Sequence, residues 1–313
     1  MNFYGEERLA LRANLHTHTT HSDGYFDPQA IIRLYANEGY DVLALTDHRQ
    51  VHDISPYDPC GMILIQGGEI HPDNPGNLRW HILCLNLPLD FPYATPYEKY
   101  TRKGPNTDAP VQEVIDAVNA AGGVAAVAHP YWCQYGSEMV KKVKNYFAIE
   151  VYNTECRGID KAYSVQTWDE LLLDGYKVNA IAVDDIHGPG ALFGGWTVIC
   201  AKERTRESVM EALREGAFYA SQGPEFRSLT VEGTTVSAEF SDVVECCFLA
   251  GTGRRAVACD APLGPGSRIG VINSASVDVS TLKLRELPKG ENFVRCHIRD
   301  AKGRHAWSNP VYL

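Results

Sequence analysis

The sequence lacks the signatures of several protein classes. No apolar run approaches the roughly 20 residues that a membrane-spanning helix needs. The amino-terminal segment carries Glu6, Glu7 and Arg8 where a secretory signal would have an apolar core. The nine cysteines include no Cys-x-x-Cys pair, which argues against a zinc ribbon and against a dithiol redox site. We therefore expect a cytoplasmic protein whose cysteines are reduced.

An excess of positive charge is also missing. The chain has 29 basic and 39 acidic side chains, and its formal net charge is −10. This balance argues against a general basic surface for nucleic-acid backbones and favours the binding of metal cations. A small anionic substrate neutralised by bound metals fits the composition better than a long polyanion does.

The first two thirds of the 313 residues alternate between short apolar runs and amphipathic stretches. The runs are rich in Val, Ile and Ala without strict alternation, which is typical of strands buried on both faces of a parallel sheet. Helices are predicted after Asp27-Pro28 and at 110–121 and 205–214. Repeated strand–helix units indicate a barrel or an open doubly wound sheet. The predicted strands are 13–15, 42–45, 62–65, 81–85, 124–128, 148–151, 178–183 and 196–200.

After about Gly223 the pattern changes, because helical periodicity disappears and short segments with Val, Thr and Phe alternate with turns. The predicted antiparallel strands are 226–231, 235–240, 245–249, 276–282, 293–299 and 306–313. A tail of roughly ninety residues with this pattern fits a small all-β sandwich of immunoglobulin-like build. We place the domain boundary at Gly223-Pro224, which divides the chain into 1–222 and 223–313.

Histidines and carboxylates cluster at the ends of the predicted strands. In an extended strand, residues two apart point to the same side, so His16 and His18 can bind one ion together. Strand ends in α/β barrels hold the active site, and imidazole and carboxylate are ligands for Zn, Mn or Fe. Paired ions of this kind activate water and stabilise oxygens in a displacement reaction. The motifs are His16-Thr17-His18, Ser22-Asp23-Gly24, Thr46-Asp47-His48, Gly68-Glu69, His81, His129-Pro130 and Asp184-Asp185-Ile186-His187.

Each histidine also has a simpler interpretation, because a lone histidine at a strand end is more often a hydrogen-bonded structural residue than a ligand. We adopt that interpretation for His71, His297 and His305, and we leave His21 and His52 undecided. Asp47 is either a partner that orients an imidazole or a cap. For five histidines the ligand interpretation is preferred, because the structural interpretation would require a separate coincidence at each strand end. They are His16, His18, His48, His129 and His187.

The ordered set of motifs from His16 to His187 resembles the PHP family, named for polymerase-associated and histidinol-phosphatase domains. A single His-x-His would be weak evidence for this family. Here, however, seven motifs occur in the family order: His-x-His, Ser-Asp-Gly, Thr-Asp-His, Gly-Glu, His-Ile-Leu, Ala-His-Pro and Asp-x-His. The resemblance implies a distorted seven-stranded (β/α)7 TIM-like barrel. It also implies a metal site at the carboxyl-end face of that barrel.

The resemblance further implies a trinuclear site with two or three divalent ions, Zn, Mn or Fe. Asp185 is preferred over Asp184 because Asp-x-His spacing matches, and His81 over His71 because a His-Ile-Leu strand follows Gly-Glu in the family. The first ion would be held by His16, His18, Glu69 and Asp185, the second by Glu69, His81 and His129, and the third by Asp23, His48 and His187.

The activity that the resemblance implies is hydrolysis of a small phosphomonoester or phosphodiester. Glu69 and Asp185 would act catalytically by holding the ions that a nucleophilic hydroxide bridges, and the third ion would bind a phosphoryl oxygen. Arg49 and Arg157 are candidates for substrate phosphate, since guanidinium matches it in a two-pronged geometry, although either fits a solvated surface arginine equally well. His21 would contact substrate or protonate the leaving group, for which a metal-bound water is the alternative.

The tail resembles a carboxyl-terminal β-domain of some PHP proteins, through 218–224 and 306–310. This argues against a histidinol phosphatase and against a polymerase-associated exonuclease. A structural cap or a homo-oligomer contact is favoured over sugar binding for this domain. Two other functions stay open for the whole chain: a metallohydrolase acting on another bond, such as C–N, and a non-catalytic metal-binding interaction protein.

Overall fold

Two β-sheets carry most of the regular structure. The computed structural model describes residues 1–73, 80–95, 107–251, 255–258, 271–282, 284, 287 and 290–313. Within these ranges the protein is mixed α/β, with five α-helices and many short strands. No helix among the described residues has both the length and the apolar character needed to cross a bilayer.

The elements follow one another closely along the chain. The helices are α1 (Pro28–Asn37), α2 (Val111–Ala120), α3 (Ser137–Val140), α4 (Val165–Leu173) and α5 (Arg206–Glu215). The strands of the first two thirds are β1 (Asn2–Phe3), β2 (Glu6–Glu7), β3 (Leu9–Asn14), β4 (Val42–Leu45), β5 (Ile63–Ile70), β6 (Pro72–Asp73), β7 (Ile82–Leu85), β8 (Thr107–Pro110), β9 (Val124–Val127), β10 (Ala148–Asn153), β11 (Asn179–Val183), β12 (Trp196–Ala201) and β13 (Phe218–Ser221). The tail contains β14 (Phe226–Glu232), β15 (Thr235–Val243), β16 (Glu245–Ala250), β17 (Arg255–Ala258), β18 (Ile272–Asp278), β19 (Phe293–Arg299), β20 (His305–Ser308) and β21 (Val311–Tyr312).

The larger sheet runs in the order β11-β10-β9-β7-β5-β4-β3-β12-β13 and then continues through β20, β19, β16 and β17. Strands β3, β4 and β5 are parallel to one another, as are β9, β10 and β11. Strand β7 is antiparallel to both of its neighbours. Antiparallel neighbours need no helical crossover, so the repeated strand–helix pattern is interrupted at β7. The mixed α/β class is confirmed, and a regular seven-unit barrel stays a prediction.

The segments that follow β3 and β11 lie side by side. The amide of Asp185 donates to the carbonyl of His16 (3.0 Å), and the amide of His18 donates to the carbonyl of Ile186 (3.2 Å). A single parallel bridge joins Thr17 and Ile186. These bonds bring the first and last histidine motifs together although they lie far apart in sequence.

The predicted strands and helices of this part are present. Strands β4, β7 and β9 are buried along their whole length, as expected from apolar runs that do not alternate. Asp27 caps α1 by accepting from the amide of Ala30 (3.0 Å), and Gly216 ends α5 in the left-handed conformation with φ 74°. The sequence pattern did not predict α4, whose buried side chains include Trp168 and Leu171.

In the tail, a second sheet of order β18-β15-β14-β1-β2 packs on the extension of the larger sheet. Phe226 and Phe240 from the second sheet share one apolar core with Phe248 and Ile298 from the larger sheet. The predicted strand 306–313 is two strands, separated at Asn309-Pro310, and the predicted strand 276–282 lies at β18 instead. The immunoglobulin-like arrangement and the boundary at 222/223 stay predictions, and β1 pairs with β14 across that boundary.

No disulfide joins the cysteines that the structure describes. Cys246 and Cys296 come closest together, with their sulfur atoms 3.5 Å apart inside the tail. Cys259 lies outside the described residues.

Gly67 allows β5 and β7 to approach closely, so replacing it should destabilise the protein. A β-carbon at Gly67 would overlap the carbonyl oxygen of Cys84 on β7. We expect Gly67→Ala to lower the free energy of unfolding by roughly 1–3 kcal/mol, as overpacking does. Gly158→Ala is the control, because a β-carbon there meets nothing within 4 Å. Urea denaturation measures both variants, and equal stabilities would contradict the steric explanation.

Candidate metal centre

The predicted metal ligands converge at one end of the larger sheet. His16 and His18 follow β3, His48 follows β4, and Glu69 lies near the carboxyl end of β5. His129 follows β9, and Asp185 and His187 follow β11. His81 is the exception, because it lies just before β7 and does not follow a parallel strand. Because β7 is antiparallel to β5, its first residues lie beside the last residues of β5.

A first group of donor atoms comes from His16, His18, Asp185 and Glu69. The Nε2 atoms of His16 and His18 are 3.1 Å apart, and Asp185 Oδ1 lies 3.2 and 2.9 Å from them. Glu69 Oε2 lies 3.7 and 3.6 Å from the same two nitrogens. A zinc-sized ion with four tetrahedral ligands at about 2.1 Å separates those ligands by about 3.4 Å. The spacing therefore fits one divalent ion.

A second group uses the other oxygen of each carboxylate. Glu69 Oε1 lies 2.6 Å from His81 Nδ1 and 3.1 Å from His129 Nε2. Asp185 Oδ2 lies 3.7 Å from His129 Nε2. Glu69 and Asp185 thus each present one oxygen to the first group and the other oxygen to the second.

A third group combines Asp23, His48 and His187. His48 Nε2 and His187 Nε2 are 3.3 Å apart, and Asp23 Oδ1 lies 3.5 and 3.4 Å from them. These three separations match the edges of one tetrahedral ligand face. His18 also lies within ligand range of this group.

His71, interpreted from the sequence as structural, lies inside the cluster. Its Nε2 is 3.1 Å from His48 Nδ1 and 3.6 Å from Glu69 Oε2, and the three residues form a fourth candidate donor group. Its ring stacks on His81 with centroids 4.0 Å apart. The register of β5 with β7 places positions 71 and 81 opposite each other, and that register is not readable from the motif.

The charges of the buried histidines and carboxylates compensate one another. Burial alone would raise the pKa of Glu69, but His81, His48 and His16 outweigh it and hold that pKa well below its usual range. Burial alone would lower the pKa of His16, yet Asp185, Glu150 and Glu69 raise it well above the ordinary value. Burial, together with His187 and His48, lowers the pKa of His18 to about 3.

The donor chemistry fits divalent metal ions. Buried imidazoles and carboxylates at these spacings are able to ligate a divalent ion once their protons are displaced. Glu69 Oε2 is buried and, among the described residues, has no hydrogen-bond donor with suitable geometry, although His48 Nδ1 is 2.5 Å away. A cation between these groups would satisfy that oxygen.

Glu150, on β10, and Asn153 were not predicted as site residues. Glu150 Oε1 is 2.7 Å from His16 Nδ1, and Glu150 Oε2 accepts from the amide of His129 and from Asn153 Nδ2, both at 2.9 Å. Asn153 Nδ2 also donates to Asp185 Oδ2 (2.9 Å). Both side chains are buried. This network orients residues of the first two donor groups, and a glutamate in a strand interior has no motif that reveals it.

The neighbouring aspartates Asp184 and Asp47 bind backbone and hydroxyl groups instead. Asp184 accepts from the hydroxyl of Tyr35 (2.6 Å) and from the backbone amides of 193–195 (2.8–3.1 Å). Asp47 accepts from the amides and hydroxyls of Thr19 and Ser22 (2.6–3.1 Å). Of the adjacent pair, Asp185 alone contributes to the donor groups, and Asp47 holds the loop that carries Asp23.

The three predicted substrate contacts lie outside the donor groups. Arg49 has φ 67°, and its amide donates to the carbonyl of Glu69 (2.7 Å). Arg157 is exposed and donates to the carbonyl of Gly190 (2.9 Å). His21 Nε2 lies 2.9 Å from the hydroxyl of Tyr57, and its ring stacks on His52.

The fold and the donor groups define a mixed α/β protein with a buried histidine–carboxylate cluster. A two-domain protein of Bacteroides vulgatus ATCC 8482, containing a predicted PHP-like metal-dependent phosphoesterase, is similar with a TM-score of 0.51 and 15% identity, over 98% of this chain and 89% of that one. At this identity the similarity shows the fold alone, and at that level the resemblance to PHP-like proteins is confirmed.

Two further solved structures are less similar. A lesion-specific endonuclease of Pyrococcus furiosus has a TM-score of 0.45 and 13% identity over 66% of this chain and 56% of that one. An amidohydrolase of Chromobacterium violaceum has a TM-score of 0.44 and 18% identity over 57% and 88%. No protein-family model and no curated protein matches the chain.

Glu150 should strengthen metal binding through His16. We expect Glu150→Gln to weaken metal affinity roughly 10- to 100-fold, because the charge that orients the imidazole is removed. Competition with a chromogenic chelator measures this affinity. Glu138→Gln, at a side chain that is 86% exposed, is the matched control. Unchanged affinity in a folded Glu150→Gln protein would contradict the assignment.

Proposed function

We propose that this protein is a metal-dependent phosphoesterase that hydrolyses a small phosphomonoester or phosphodiester at a trinuclear site. The observation that carries the proposal is the division of Glu69 and Asp185 between two donor groups, with a third group beside them. Adjacent ions with shared carboxylates suit in-line displacement at phosphorus, since attacking and leaving oxygens both need stabilisation.

Each predicted ligand has a role in this proposal. His16 and His18 with Glu69 and Asp185 would hold the first ion. Glu69 with His81 and His129 would hold the second, which the other oxygen of Asp185 also faces. Bound ions would lower the pKa of water and stabilise charge on the phosphoryl group. Asp23, His48 and His187 would complete the site on the side of the phosphoryl oxygens.

The chain itself would orient the substrate and exclude bulk water. Glu69 and Asp185 are assigned as catalytic because each would contact both ions that flank the reacting atoms. Arg49 follows His48 directly and is assigned to the substrate phosphate. Arg157 lies in the short 3-10 helix after β10 (Glu155–Ile159), and His21 lies in the turn after β3; we assign both to the remainder of the substrate.

The ions are proposed to be Zn, Mn or Fe, because imidazole and carboxylate together suit these metals. The net charge of −10 supports a small phosphorylated partner in preference to nucleic acid. We further propose a cytoplasmic location and a homo-oligomer contact through the tail. The seven-unit barrel and the immunoglobulin-like sandwich belong to the same proposal.

The alternative of C–N bond hydrolysis is less well supported by the geometry. A third ion held by Asp23, His48 and His187 would stabilise the negative charge of a phosphate, whereas amide hydrolysis does not need a third ion. The structure brings the three donors to within 3.3–3.5 Å of one another. A purely structural metal site is the remaining alternative, and activity assays separate it from both enzymes.

The metal-loaded protein should hydrolyse at least one ester in a panel of phosphomonoesters and phosphodiesters. A chelator should abolish turnover, and added metal should restore it. A His16→Ala/His18→Ala double variant should lose turnover while staying folded, whereas His297→Ala in the tail should keep it. A metal-loaded protein that cleaves amides but no phosphoester would overturn the proposal.

Asp23→Asn tests the third donor group, because a neutral amide is a weaker ligand than a carboxylate. We expect the metal content to fall by one ion per chain, together with a loss of phosphoester turnover. Elemental analysis of the dialysed protein measures the ions, with Asp90→Asn as an exposed control. Full metal content in Asp23→Asn would exclude Asp23 as a ligand.

A further inference from the structure

A cleft of about 540 Å³ is lined by described residues that lie outside the donor groups. One wall is the turn after β9, which includes Tyr131 and Tyr135, and the other wall is the segment from Lys161 to the first half of α4. The amide of Tyr131 donates to the hydroxyl of Ser164 (3.2 Å) and joins the two walls. A volume of this size suits a ring-sized ligand group.

The cleft is connected to the metal centre through the turn after β9. This turn begins directly at His129, whose carbonyl accepts from the amide of Cys133 (3.1 Å). Trp132 packs against His129 and His81, with ring centroids 5.1 and 5.3 Å away. Tyr135 lines the cleft, and its buried hydroxyl has a raised pKa through burial, Cys133, Glu150 and Glu69. The same short turn therefore contacts both the donor groups and the cleft.

The lining of the cleft includes tyrosine rings, one cationic side chain and one carboxylate. Tyr131 and Tyr163 are 50% and 46% exposed, so their rings are accessible to a ligand in the cleft. Lys161 Nζ lies 5.7 Å from the centre of the Tyr131 ring. In the part of the chain that the structure describes, no acidic side chain forms an ion pair with Lys161.

The acidic side chain of the lining, Glu170, already accepts hydrogen bonds within the protein. Glu170 accepts from the hydroxyl of Ser137 (2.6 Å) and from the side-chain amide of Gln166 (2.9 Å), one bond to each oxygen. Among the described residues that line the cleft, Lys161 is the only basic one. Since the chain as a whole is acidic, a local cation facing aromatic rings favours an anionic ring over a neutral one.

We propose that this cleft binds the leaving group of the substrate and that this group is an aromatic alcohol carrying a second anionic substituent. The proposal rests on the phosphoesterase function and specifies its substrate class. In the reaction, the oxygen of water forms a bond to phosphorus and the bond from phosphorus to the ring oxygen breaks. The released ring oxygen keeps the electron pair and takes up a proton, while water loses one to solvent. Tyr131 and Tyr163 pack on the ring, and Lys161 pairs with its anion.

The kinetic test compares 4-carboxyphenyl and 4-carbamoylphenyl phosphate, or the corresponding methyl diesters if diesters are the reactive type. Lys161→Met should lower the preference for the carboxylate ester, expressed as the ratio of kcat/KM values, by about tenfold. Lys161→Arg should restore most of the preference. Lys142→Met, at an exposed lysine outside the cleft, should retain the wild-type ratio. A ratio that is the same in wild type and Lys161→Met would overturn the proposal.

Calorimetric titration with 4-hydroxybenzoate separates this proposal from the function on which it rests. The wild-type protein should bind it, and Lys161→Met or Tyr131→Ala should bind about tenfold more weakly. Ester hydrolysis without any Lys161-dependent binding would leave the phosphoesterase intact and overturn the cleft assignment. Lys161-dependent binding in a protein that hydrolyses no ester would overturn the phosphoesterase, and the leaving-group assignment with it.

Discussion

Glu69 directs its two carboxylate oxygens to two different groups of histidines, and the arrangement of the site depends on that division. The side chain is fully buried, and a buried carboxylate is costly unless opposite charge or hydrogen bonds compensate it. Here His16 and His18 lie on one side, and His81 and His129 on the other. Asp185, in the segment after β11, likewise presents one oxygen to each group, so a shift of either carboxylate changes both groups.

The fold produces this arrangement through strand direction and pairing. Because β7 runs against β5, His81 at its beginning faces Glu69 near the end of β5. The backbone bonds of Asp185 with His16 and of His18 with Ile186 join the segment after β11, at one end of the sheet order, to the segment after β3, in the middle of that order. Buried Glu150 then connects His16 with the backbone of His129. Packing of the sheet and alignment of the ligands therefore depend on the same contacts.

Short-range patterns predicted much of this centre, and long-range register explains what they missed. Alternation along a strand places His16 and His18 on one side, and strand ends gather the motifs. In contrast, His71 enters the cluster through its position opposite His81, and Glu150 through the pairing of β9 with β10. Neither pairing is encoded in a local motif. The apolar runs suggested that all strands of this part are parallel, and the antiparallel β7 is an exception that they did not reveal.

The shared carboxylates are tested most directly by anomalous scattering from crystals of the metal-loaded protein soaked with phosphate. The account predicts two metal peaks that both contact Glu69 and Asp185. It also predicts a third peak at Asp23, His48 and His187, with phosphate bound against the three ions. A single ion, or ions that do not share Glu69 and Asp185, would contradict it.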